Sequence, residues 1–138
     1  MTAAFELRGL TAAVPGEKAA VRLVEEVSLH VRAGETLAVV GESGSGKTVT
    51  FTSALGLLRK PGRVIAGQAL LEGEDLLALP PAELRRRRGA RIGMVFQDPL
   101  TGLNPVFTVG EQIAEVLRAH LPIGRREARD RAIALLAR

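Results

Sequence analysis

Apolar residues fall into short extended runs in the first half of the chain and into helical spacing in the second. Phe5 to Ala13 reads as a first strand, which Val14-Pro15-Gly16-Glu17 breaks. From Val21 to Val31 the chain resumes, and Val27, Leu29 and Val31 alternate with Ser28, His30 and Arg32. That period of two is the pattern of a half-buried strand. Ala33-Gly34-Glu35 turns the chain into Thr36 to Val40, whose unbroken run Leu37-Ala38-Val39-Val40 suits a strand covered on both faces. Thr48 to Leu58 can form a helix, and Lys60-Pro61-Gly62 is a stop signal. Val64 to Leu71 predicts another strand, Glu72-Gly73-Glu74 a tight turn, Pro80 to Arg88 a short helix and Arg91 to Phe96 a further strand. After a polar loop from Gln97 to Pro105, Thr108 and Glu111 have the spacing of a capping box. The helix they start places Val109, Ile113, Val116 and Leu117 along one stripe. A last helix runs from about Arg125 to the end, with Ala128, Ala132, Leu135 and Leu136 on one side.

One stretch stands out against this background. Gly41-Glu42-Ser43-Gly44-Ser45-Gly46-Lys47-Thr48 meets every fixed position of the phosphate-binding loop G-x-x-x-x-G-K-S/T. It lies between a predicted strand and a predicted helix, the order such a loop requires. Backbone N–H groups of Gly41, Glu42, Ser43, Gly44, Ser45 and Gly46 are candidates to cradle phosphate oxygens, helped by the partial positive charge of the helix start. The glycines leave room for that approach. Lys47 is expected to reach the β and γ phosphates, and the Thr48 hydroxyl to ligate Mg²⁺. Of 19 basic residues only those at 18, 47 and 60 are lysines. A chain so rich in arginine that keeps lysine at the loop fits a need for a compact ammonium on a flexible stem.

Composition narrows the picture. The 138 residues, 46% of them hydrophobic, suffice for one modest domain with a core. With no cysteine, disulfides, thiol nucleophiles and cysteine-ligated zinc are excluded. No apolar run approaches the roughly 18 residues of a membrane-spanning helix. The net charge of +4 comes largely from Arg85-Arg86-Arg87-Arg88, read here as a solvated helix face. With neither Tyr nor Trp to stack on bases, no nucleic-acid partner is expected.

The loop, taken with Ile92-Gly93-Met94-Val95-Phe96-Gln97-Asp98-Pro99-Leu100-Thr101-Gly102-Leu103-Asn104-Pro105 and the continuation Val106 to Ile113, resembles ABC transporter ATPase subunits. Within them it is similar to the oligopeptide, dipeptide and nickel importer branch. The resemblance runs from about residue 5 to the end and corresponds to the first part of such a subunit. It implies an α/β fold: the N-terminal portion of a P-loop NTPase domain of ABC type. That portion comprises an antiparallel β subdomain, the loop strand and helix, and the start of a helical subdomain. The division implied is about 1–97 for core and β subdomain and about 98–138 for the helical part. Gln97 corresponds to the Q-loop glutamine, whose amide oxygen can ligate Mg²⁺ or orient the attacking water. Residues 98–120 resemble the surface that receives a permease coupling helix. The implied assembly contains membrane permease subunits, a second ATPase subunit (identical or not) and, indirectly, a solute-binding protein. The implied location is the cytoplasmic face of the membrane, held there by the permease. ATP and Mg²⁺ are the implied ligands.

The chain departs from the family pattern in two places. The family stacks adenine on an aromatic residue after the first strand, where this chain has Val14. A second acidic motif, apolar residues followed by Asp and Glu, fits none of Asp75, Asp98 or Asp130, and no Leu-Ser-Gly-Gly-Gln is present. Neither His30 nor His120 sits where a switch histidine belongs. The last helix is still in pattern at Arg138, which reads as a truncation before the second acidic motif. The chain alone is therefore expected to hydrolyse ATP very slowly or not at all. Two alternatives remain at this stage: a DNA-repair ATPase of ABC type, and a nucleotide-binding fragment without catalysis.

Overall fold

The computed structural model describes residues 3–98 and 102–137. The chain divides into two compact units, one ending at Leu84 and the other beginning at Arg85. The first carries strands β1 (Phe5–Val14), β2 (Val21–Val31), β3 (Arg63–Leu71) and β4 (Glu74–Asp75), with helix α1 (Lys47–Ala54) between β2 and β3. The strands form one antiparallel sheet in the order β2-β1-β3-β4. Phe5 is the hinge of the register, facing Val31 on one side and Leu71 on the other. Leu7, Leu10 and Ala69 join Ala54 of α1 in the buried core, with Phe5, Val27, Leu29, Val64 and Leu77 packed around them. Val27, Leu29 and Val31 are half-buried while Ser28 and His30 are exposed, as the alternation predicts.

That alternation changes phase in the middle of both long strands. Leu7 and Leu10 both face the core although three positions apart, and Gly9 between them has φ 56°. In β2 the inward set shifts from Val27 to Val24, with Glu26 at φ 49°. The pairings Leu10 with Val27 and Ala12 with Val24 leave one extra residue in β2, a β-bulge. A left-handed conformation costs a residue with a side chain roughly 1–2 kcal/mol. Thr11, itself buried, supplies a compensating contact: its Oγ1 accepts a 3.0 Å hydrogen bond from Glu26 N. The β3–β4 turn behaves as read from sequence, with Glu72 and Gly73 at φ 50° and 88°, the signs of a type I′ hairpin.

Three expectations need correction. Helix α1 ends at Ala54, not Leu58. Gly56 takes φ 61°, Leu57 N donates to Thr52 O at 2.7 Å and Gly56 N to Ser53 O at 3.0 Å. Those two bonds are a Schellman motif, and the left-handed glycine ends the helix before the proline is reached. The segments 36–40 and 91–96 are not strands; among the described residues neither joins the sheet, and Ile92 makes only an isolated bridge to Arg88. Val40 is 89% exposed and Val95 90%. A parallel strand exists only where neighbours satisfy its N–H and C=O groups, and an apolar run does not supply them.

Helix α2 (Pro81–Arg87) spans the division between the units, and in the second unit α3 (Val109–His120) packs against α4 (Arg125–Leu136). Both capping-box bonds form: Glu111 N donates to Thr108 Oγ1 (3.2 Å) and Thr108 N to Glu111 Oε2 (3.0 Å). The Gln112 side chain ties the preceding loop to α3 through Asn104 N, Asn104 O and Phe107 O. Only part of the predicted α4 face is covered. Ala128 and Ala132 are fully buried, whereas Leu135 and Leu136 are exposed.

Candidate functional site

The glycine loop occupies the space between the exposed run 36–40 and α1. Ser45 N donates to Glu42 O at 3.2 Å, closing a turn in which Gly44 has φ 82°. Gly46 follows at φ 90° and is the residue before α1. No side chain caps that helix. The N–H groups of a first helical turn have no partner inside the helix, so this end attracts an anion.

Lys47 opens α1 and folds back over the loop. Its Nζ lies 2.7 Å from Gly41 O, 2.7 Å from Glu42 O and 3.1 Å from Ser45 Oγ. An ammonium has three hydrogens, and these three acceptors use them all. The charge is therefore held on the loop and not left to wander in solvent. Thr48, next in the first turn, is exposed. Thr50, by contrast, turns inward and donates its Oγ1 to Gly46 O at 2.9 Å, while its N–H donates to the same oxygen at 2.8 Å. Loop and helix are thus joined at Gly46.

The loop also has a back wall that the sequence reading missed. A methyl group on Gly46 would lie 2.7 Å from Val24 Cγ1 and 3.4 Å from Leu23 O. Strand β2 therefore presses on the loop from behind, and only glycine fits there. The available sequence clue was Val24 itself, out of phase with Val27, Leu29 and Val31. A methyl on Gly41 would meet Ser45 Oγ at 2.8 Å, so this glycine too is required by the close turn. Gly44 has open space around its α-carbon and is required by its dihedral.

The predicted site residues fall in both units. Gly41, Glu42, Ser43, Gly44, Ser45, Gly46, Lys47 and Thr48 form one continuous constellation. Gln97 is carried by the second unit, on an exposed irregular stretch after Phe96. Pro99, Leu100 and Thr101 lie outside the described residues. Val14, in the predicted adenine position, is the last residue of β1, half-buried and paired with Val21. Of the aspartates, Asp75 is engaged in structure: its Oδ1 accepts from Leu77 N at 3.1 Å and from Ala69 N at 3.3 Å. In the second unit α3 and α4 enclose an open groove of about 1040 Å³, lined in part by Phe107, Glu111, Arg118, Arg129 and Ile133.

A family model for the ABC transporter matches residues 24–138. The chain belongs to the ABC transporter family. Over 140 residues it is 46% identical to a putative peptide import ATP-binding protein of Brucella melitensis, covering 97% of this chain and 41% of that protein. It is 43% identical to the oligopeptide transport ATP-binding protein OppD of Bacillus subtilis, covering 99% and 38%. With the dipeptide transport ATP-binding protein DppD of Escherichia coli the identity is 44%, covering 87% and 37%. The chain thus spans about two fifths of the length of these curated relatives. Its fold matches the dimeric structure of the bacterial ABC transporter cassette MJ0796 with a TM-score of 0.80 at 24% identity, covering 96% of this chain and 56% of the other. A post-hydrolysis form of the same cassette, bound to ADP and Pi, gives 0.78. The ABC fold is therefore present. No described helix is long and apolar enough to cross a membrane.

Proposed function

We propose that this chain supplies the phosphate-binding loop of an ABC importer ATPase that couples ATP binding and hydrolysis to uptake of peptides or similar small solutes. One observation carries the reading: the Lys47 ammonium sits on the loop, 2.7 Å from two of its carbonyls, beside an uncapped helix start. A polyphosphate arriving there meets a positive charge already in place. Lys47 exchanges carbonyl acceptors for phosphate oxygens, and its stem, ordered beforehand, loses little rotamer freedom in doing so. Charge-assisted bonds of this kind contribute about 1.5–3 kcal/mol each.

The residues present fit the nucleotide and its ion. Gly41 to Gly46 leave room for phosphate to approach the backbone, exposed Thr48 would offer its hydroxyl to Mg²⁺, and the amide oxygen of Gln97 has the chemistry of a further ligand. Bound there, Mg²⁺ would neutralise charge on the triphosphate. The catalytic contributions assigned to this chain are Lys47, which stabilises charge, and Gln97, which orients water. A carboxylate placed to polarise that water is not provided by Asp75, which serves the fold. The groove between α3 and α4 supports a permease as partner, reached at the cytoplasmic face of the membrane, with a second ATPase subunit completing the pair and a solute-binding protein acting through the permease. The names of the relatives support peptides as solute class.

The test is titration with a fluorescent ATP analogue and Mg²⁺. Saturable binding is expected, weakened at least about tenfold in Lys47→Ala. Equal binding by both proteins would reject the reading.

A further inference from the structure

The back wall of the loop depends on a residue in a different strand. Val24 can lie under Gly46 only because β2 changes phase at Glu26. Continued alternation from Val27 would bring Glu25 and Leu23 to the core face and turn Val24 away. The bulge that prevents this holds a non-glycine residue at φ 49°. Thr11 of β1, 6% exposed, accepts from Glu26 N at 3.0 Å and donates from the same oxygen to Gly9 O at 3.4 Å. The hydroxyl thus bridges the bulge in β2 to the bulge in β1.

We propose that Thr11 is a positioning residue for the phosphate-binding loop, its hydroxyl fixing the β2 bulge that sets Val24 beneath Gly46. The inference rests on the nucleotide-binding reading above and adds a residue remote from the ligand to it. A valine at this position has the same shape but offers Glu26 N–H no acceptor. The strand then loses the reason to keep Glu26 in the left-handed region, and Val24 loses its orientation. Gly46 carries both bonds from Thr50, so movement there reaches the start of α1 and with it the stem of Lys47. The hydrogen bonds of the Thr11 hydroxyl go to Gly9 and Glu26 and not to the loop. Its effect passes through Glu26 and Val24 in sequence.

The experiment measures the dissociation constant of the chain for a fluorescent ATP analogue with Mg²⁺. It compares wild type, Thr11→Val, Thr11→Ser, Val24→Ala and Lys47→Ala at a temperature where circular dichroism shows each folded. Thr11→Val is expected to weaken binding about tenfold, Thr11→Ser to stay within about twofold of wild type, and Val24→Ala to weaken it about threefold. Rescue by serine separates the hydroxyl's role from a general loss of packing. Wild-type affinity in Thr11→Val, with binding lost in Lys47→Ala, overturns the inference and leaves the nucleotide reading intact. Failure of serine to rescue overturns it as well. Should Thr11→Val not fold, Val24→Ala decides: wild-type affinity there overturns the proposal. A wild-type chain that binds no nucleotide overturns both readings.

Discussion

Strand β1 and the segment 36–40 are both rich in apolar residues and both belong to the first unit, yet they have opposite fates. Leu7, Leu10, Ala12 and Ala13 are buried; Leu37, Val39 and Val40 are exposed. The difference lies in their neighbours. β1 has β2 on one side and β3 on the other, both antiparallel, so it is hydrogen-bonded along both edges, although its β3 partners lie 50 to 66 residues away in the chain. The segment 36–40 has the residues of a parallel strand and no strand beside it among those described. Parallel pairing needs a crossover, so its partners are never supplied by the adjacent sequence. The functional loop is attached to both kinds of segment. On its N-terminal side it hangs from the exposed run, and on its C-terminal side it is held by α1 and by Val24 of β2. The sheet side, not the segment before the loop, is what positions it in this chain.

The contrast can be broken most forcefully in the core. Leu10→Ala should destabilise the first unit by about 2–5 kcal/mol, read as a lower urea midpoint, because a fully buried leucine is removed from between sheet and helix. A smaller change would mean that the sheet does not carry the unit. Next comes the junction of sheet and loop. Gly46→Ala places a methyl against Val24 at φ 90°, and a loss of about 1–3 kcal/mol with weakened nucleotide binding is expected. Gly44→Ala has the same dihedral problem but open space, so its melting temperature should fall less. Equal losses would remove the back wall from the account.

The helical unit gives smaller effects. Thr108→Ala removes a side-chain cap and should cost about 1 kcal/mol in thermal unfolding of that unit. The same box responds to acid. Hydrogen bonds from the Thr108 hydroxyl and then its backbone N–H hold the Glu111 carboxyl below its ordinary value of 4.5. Its folded pKa lies below the unfolded one, so its contribution is complete above the unfolded value and fades as pH falls through the folded value. Helicity should therefore drop as pH falls below about 4.5, and Glu111→Gln should flatten that slope. The smallest effect is expected at the exposed run: Val40→Ala should alter stability by no more than about 0.5 kcal/mol. A large loss there would show that segment 36–40 is covered after all.

What was legible in advance follows the same division. The capping box of Thr108 and Glu111, the turn at Glu72-Gly73 and the half-buried face of Val27, Leu29 and Val31 are local features, set by residues a few positions apart. The loop itself was legible because its chemistry needs particular residue types at fixed spacing. Gly56 was available as a helix stop and was passed over for the more conspicuous Lys60-Pro61-Gly62. The phase change at Glu26 had no such marker, since a glutamate does not announce a left-handed conformation; it depends on a threonine in another strand. Residues 36–40 and 91–96 have the composition of strands and are not strands, because composition cannot provide the neighbour that makes one. The back wall at Val24 was missed for a related reason: it is a contact between elements, and the alternation of β2 pointed the other way.

The most direct test follows the backbone N–H resonances of a ¹⁵N-labelled chain during titration with Mg²⁺ and ATP. The account predicts that Gly44, Gly46, Lys47 and Thr48 shift together and saturate, and that Lys47→Ala moves the midpoint to at least about tenfold higher nucleotide concentration. Loop resonances that stay fixed while nucleotide binds at other residues would contradict it.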